Sequence, residues 1–114
     1  MDYVKRNNRL NELAGQMGKE IPDVMSAFTR LHMAAIKDNA LSKKVKELIS
    51  LGIGITVRCD GCIAAHVNDA LRAGASREEI METIGVAILM GGGPSMVYGS
   101  EAMEALNQFQ GKDN

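Results

Sequence analysis

Apolar residues recur along most of this chain at spacings of three and four, the period of an α-helix that buries one face. Leu10, Leu13, Ala14 and Met17 predict a first amphipathic helix ending near Gly18. Ile21, Val24, Met25, Phe28, Leu31, Ala35 and Ile36 form a longer stripe, with Pro22 near its start, where the missing N–H of proline costs nothing. His32 sits beside that stripe, a position at which a lone histidine is more often a packed or interface residue than a ligand.

Ser42 is placed to cap a third helix over 43–57. Its second half, Leu51-Gly52-Ile53-Gly54-Ile55-Thr56-Val57, alternates apolar and small residues and could equally be a strand. As helix, each glycine costs about 1 kcal/mol relative to alanine. Helix is favoured because no other segment offers a strand to pair with, and the glycines would then admit a second helix at close range. A fourth helix is expected from Cys59 or Asp60 to Ala73, with Gly74 as the residue after its C-cap. Ser76-Arg77-Glu78-Glu79 reads as a capping box opening a fifth.

Between Thr83 and Ser100 there is no charged residue. Gly91-Gly92-Gly93-Pro94 interrupts that stretch and would strand backbone groups in lipid, so a membrane span is excluded and burial at a subunit interface is expected. The glycines lack the Lys-Ser/Thr ending of a phosphate loop and follow no strand; they read as a tight break between helices. Met96, Met103, Leu106 and Phe109 support a sixth helix, and 111–114 forms a polar tail. The pattern as a whole predicts an all-α protein, a compact bundle of about six helices.

At 114 residues the chain is expected to be a single domain, 1–114, with a core small enough to call for a partner subunit. Thirteen basic and fourteen acidic residues leave a net charge of −1 without a basic stripe, which argues against nucleic acid as a partner. The charged N-terminal segment lacks the apolar run of an export signal, so a cytoplasmic location is expected. In that compartment a purely structural disulfide would not persist. The eight methionines read as core and interface filler.

The chemistry concentrates in Cys59-Asp60-Gly61-Cys62-Ile63-Ala64-Ala65-His66, with Glu47 twelve residues ahead of the first cysteine. On a helix, the two thiols and the imidazole would share one face. A structural zinc site would need a second ligand pair, and outside this run the only other histidine or cysteine is His32. A c-type haem would need histidine where Ile63 stands. The cysteines could instead be inert small hydrophobes, or a redox dithiol, although not a thioredoxin domain, since no βαβ signals are present. An ordinary thiol is only about 3% thiolate at pH 7. Lowering its pKa by two units takes about 2.7 kcal/mol, more than the roughly 0.3–1 kcal/mol of an exposed helix terminus. His66, one turn after Cys62, could take the thiol proton, and Glu47 fits a role behind the imidazole better than contact with sulfur.

The pattern Glu47-x11-Cys59-x2-Cys62-x3-His66, followed by A-L-R-A-G-A-S-R-E-E-I and M-G-G-G-P, resembles the AhpD-like (alkylhydroperoxidase) branch of the carboxymuconolactone decarboxylase family, from about Pro22 to Leu106. The resemblance implies an all-helical homo-oligomer, commonly a trimer or hexamer, with no metal or organic cofactor. It implies that Cys62 is the activated thiol, that Cys59 closes the disulfide, and that Glu47 and His66 form a proton relay. Substrates would be a peroxide or a partner disulfide, and electrons would come from a thiol protein or small thiol. Gly61 stands where better-known peroxidase members carry a further histidine. Two rival readings remain: a decarboxylase using His66 and Glu47 with passive cysteines, and a binding module with zinc at Cys59, Cys62 and His66.

Overall fold

In the computed structural model, which describes residues 1–112, the chain forms six helices. They are α1 (Tyr3–Glu20), α2 (Pro22–Ile36), α3 (Lys43–Thr56), α4 (Asp60–Arg72), α5 (Arg77–Gly91) and α6 (Gly93–Phe109). The described residues contain no strand, so the ambiguous segment at 51–57 is helical as far as Thr56. Among the described residues no helix is long and apolar enough to cross a membrane. Asp113 and Asn114, the end of the expected polar tail, lie outside the described residues.

Local signals set most of the boundaries. Asp2 accepts from the Lys5 N–H at 3.0 Å, and the Ser42 hydroxyl from the Val45 N–H at 3.2 Å, so α1 and α3 begin at side-chain caps. Ser76 and Glu79 complete the capping box of α5, each side chain accepting from the other's backbone N–H. Glu79 also pairs with Lys44 at 2.9 Å, and its carboxyl lies below the ordinary range, first through the Ser76 N–H and then through Lys44. Gly74, at φ 94°, ends α4, and Gly92, at φ 69°, turns the chain between α5 and α6.

The core is built from α3 to α6 around Leu51, Ile55, Ile63, Val67, Ile80 and Leu106, all without solvent exposure. Small residues set how closely these helices lie. A methyl group at Gly99 would stand 2.9 Å from Ile84 Cγ2, so α6 rests on α5 through that glycine. The buried side of α6 is Ser95, Gly99, Ala102, Ala105 and Leu106, while Met96 and Met103 face outward. The methionines are therefore mostly not core filler: Met17, Met33 and Met90 are exposed as well.

Two further helices, α1 and α2, depart from the expected pattern. The anchor of α1 is Tyr3, ahead of the apolar stripe: its ring is wholly buried, its N–H donates to Gln108 Oε1 at 2.7 Å, and its hydroxyl donates to Glu101. The α2 stripe, in contrast, enters no core. None of its residues is buried, and Val24, Phe28 and Leu31 are each more than 60% exposed. The bundle is compact around α3–α6, with α2 resting mainly on α1.

Two predictions concern this packing. Gly99→Val should lower stability by about 1–3 kcal/mol, because the β-branched Ile84 cannot swing away from an added side chain; chemical denaturation measures the loss. Burial and Glu101 raise the Tyr3 phenol well above its usual pKa. Its contribution to stability is therefore complete below about pH 10 and is lost as the unfolded phenol ionises above it. Tyr3→Phe should flatten that alkaline limb of a stability–pH profile.

Candidate functional site

The site forms where α4 crosses α3. Gly54 makes the crossing close: a methyl group there would lie 3.2 Å from Cys62 Cβ. This is the close approach that the paired glycines led us to expect; Gly52 contributes less, facing Thr83 at an ordinary 3.6 Å.

Cys59 is the N-cap of α4, in extended geometry ahead of the first helical turn, and its Sγ accepts from the Cys62 N–H at 3.2 Å. The two cysteines are joined as a disulfide, their Cα atoms 5.2 Å apart. The thiols are thus distinguished by position. A thiolate at Cys59 would be held by a backbone amide at the positive end of the helix, and one at Cys62 would lie one turn before His66. Arg58, immediately before the pair, is the only non-glycine residue of positive φ among the described residues, at 59°.

His66 and Glu47 meet across the two helices, with Nδ1 of the imidazole 2.8 Å from Glu47 Oε1. Glu47 is 1% exposed, and His66 is half-buried. Facing a carboxylate, Nδ1 carries hydrogen and donates it, which fixes the ring and leaves Nε2 as the position that can take up a proton. All four residues singled out in the sequence, Glu47, Cys59, Cys62 and His66, are brought to this one crossing.

The flank between the cysteines is covered by α1. A methyl group at Gly61 would lie 2.6 Å from Leu10 Cδ1, so the leucine occupies the space a larger residue at 61 would need. Glu47 also lines a polar recess of about 420 Å³, together with His32, Lys43, Asp69 and Arg72. His32 is exposed there and is not packed within this chain. Asp69 and Arg72 were not singled out from the sequence. Their spacing held the signal, since 62, 66, 69 and 72 follow one another at steps of three and four on a helix.

Comparison with known proteins fits this geometry. Residues 22–105 match the model of the carboxymuconolactone decarboxylase family. An uncharacterized protein of Cupriavidus necator is 38% identical over 109 residues, covering 93% of this chain and 96% of that protein. The crystal structure of a carboxymuconolactone decarboxylase family protein from Legionella pneumophila superposes with a TM-score of 0.91 at 40% identity, over 94% of this chain and 96% of that one. The alkyl hydroperoxide reductase AhpD of Coxiella burnetii is 36% identical over 62 residues, 54% of this chain but 35% of that protein. The chain therefore belongs to the carboxymuconolactone decarboxylase family, with AhpD among its more distant relatives.

Proposed function

We propose that this protein is a thiol-dependent oxidoreductase of the alkylhydroperoxidase type, reducing a peroxide or a disulfide at the expense of a thiol protein or small thiol. The observation that carries the reading is the pairing of a disulfide at the start of α4 with a buried carboxylate–imidazole pair one turn further on. Neither rival reading accounts for both halves.

In the reduced protein, His66 accepts the Cys62 proton at Nε2, and the hydrogen bond from Nδ1 to Glu47 stabilises the imidazolium that results. The Cys62 thiolate attacks the outer oxygen of the peroxide and the O–O bond breaks. Sulfur becomes a sulfenic acid, and the departing alkoxide takes a proton to become an alcohol. Cys59 then attacks the sulfenic sulfur, forming the disulfide and releasing water. Two electrons from an external pair of thiols restore the dithiol. With a disulfide substrate, the same thiolate forms a mixed disulfide that Cys59 resolves.

Roles within the pair are separable. Cys62→Ser should abolish turnover, whereas Cys59→Ser should react once and accumulate a sulfenic acid or mixed disulfide at Cys62, seen by mass spectrometry. Trapping at Cys59 instead would reverse the assignment, and full activity in the double Cys→Ser variant would point to the decarboxylase. Glu47→Gln and His66→Gln should each raise the pH at which the reactive thiol is alkylated, and their effects should not add, because both interrupt one proton path.

The working unit in this reading is a homo-oligomer. Val86, Leu89 and Met90 on α5 are 60%, 79% and 76% exposed in the single chain, within the uncharged stretch that the sequence assigned to an interface. Leu89→Lys should then dissociate the assembly and lower stability together. A stable monomer of the unmodified protein in light scattering at micromolar concentration would overturn this.

A further inference from the structure

We propose that Glu47, His66 and Asp69, of which Glu47 and Asp69 line the polar recess, form a binding site for a borderline divalent metal ion such as zinc. The ion would be held by Glu47, His66 and Asp69, on the side of the imidazole away from the cysteines in sequence. The three side chains each offer a ligand atom, and these atoms lie within 4.8 Å of one another. Two of them come from one helix: His66 and Asp69 are three residues apart on α4 and so face the same way, while Glu47 reaches them from α3. A carboxylate from one helix with a histidine and a carboxylate three apart on its neighbour is a donor set of the kind that holds metals inside helical bundles. Imidazole and carboxylate together suit zinc, which takes three protein ligands and keeps a fourth position for water.

A second observation points the same way. Glu47 is 1% exposed, yet only Oε1 is engaged by the protein among the described residues. Among the described residues no side-chain oxygen is both sealed and without a partner, so Oε2, which no protein group engages, keeps some access to solvent, and Glu47 lines the recess. A buried carboxylate with a free oxygen facing a polar cavity favours a cation or a hydrogen-bond donor there. Lys43 and Arg72 line the same recess and oppose a cation, but both are exposed, and their charges are screened by water. His32 lines it from α2 and brings an imidazole to the recess.

Zinc at this site would replace the hydrogen on Nδ1, which passes to solvent, and would hold Glu47 and His66 in place of their mutual hydrogen bond. The site does not depend on the redox reading, and it is separate from zinc binding by the cysteines.

The test is a calorimetric titration of Zn2+ into the oxidised protein, whose disulfide offers no thiolate ligand. One ion per chain is expected. Asp69→Asn, a nearly isosteric change outside the proposed thiol chemistry, should weaken binding at least about tenfold, since even outer-shell partners of a metal carry that much. His66→Gln should weaken it similarly, with circular dichroism confirming that both variants keep the helical fold. No binding by the unmodified protein, or binding that Asp69→Asn leaves unchanged, overturns the proposal. Thiol alkylation of the reduced protein in metal-free buffer reports separately on the proposed catalytic function.

Discussion

A carboxylate taken out of water must find a partner, and in this fold the Glu47 carboxylate finds it in His66. That contact ties α3 to α4 about two helical turns along α3 from the place where Gly54 lets the helices approach closely, and the rest of the site follows from the same crossing. If the helices stood further apart, Glu47 would be buried without its imidazole, and Cys62 would lose its position beside α3. The glycines of α3 cost helix propensity and return it as proximity. The unfavourable local preference that made 51–57 resemble a strand is thus the condition for the site.

Helix boundaries were legible because they rest on short-range chemistry: Ser42, the Ser76–Glu79 box and Gly74 act on their own neighbours. Cys59, Cys62 and His66 group readily in the sequence because they share one short helical run, whereas Glu47 meets His66 only through the crossing of α3 and α4. What escaped was which face each helix turns inward. On α6 the apolar stripe pointed to Met96 and Met103, yet the buried side is the one with Ser95, Gly99 and the alanines. Close packing selects small residues there, and hydropathy alone does not register size. Tyr3 escaped because its anchor, Glu101, is 98 residues away in the chain. The α2 stripe marks a helix, as its period indicates, but a period cannot say whether its partner lies in the same chain.

The bundle therefore divides into a dense part and an unsatisfied part. Helices α3 to α6 enclose the core, while α2 and the outer side of α5 display side chains such as Phe28 and Leu89 that water does not favour. His32 lies at the border between them, carried by the exposed helix yet facing the recess behind Glu47. Any contact that covers α2 would also fix the mouth of that recess, which links the outer surface of the chain to the inner face of its site.

Leu10 lies outside the segment that matches the family, yet its side chain occupies the space beside Gly61, between the cysteines. The two positions are therefore not free to vary alone. A larger residue at 61 must displace the leucine, and a smaller residue at 10 would open a gap over the disulfide unless 61 grew to fill it.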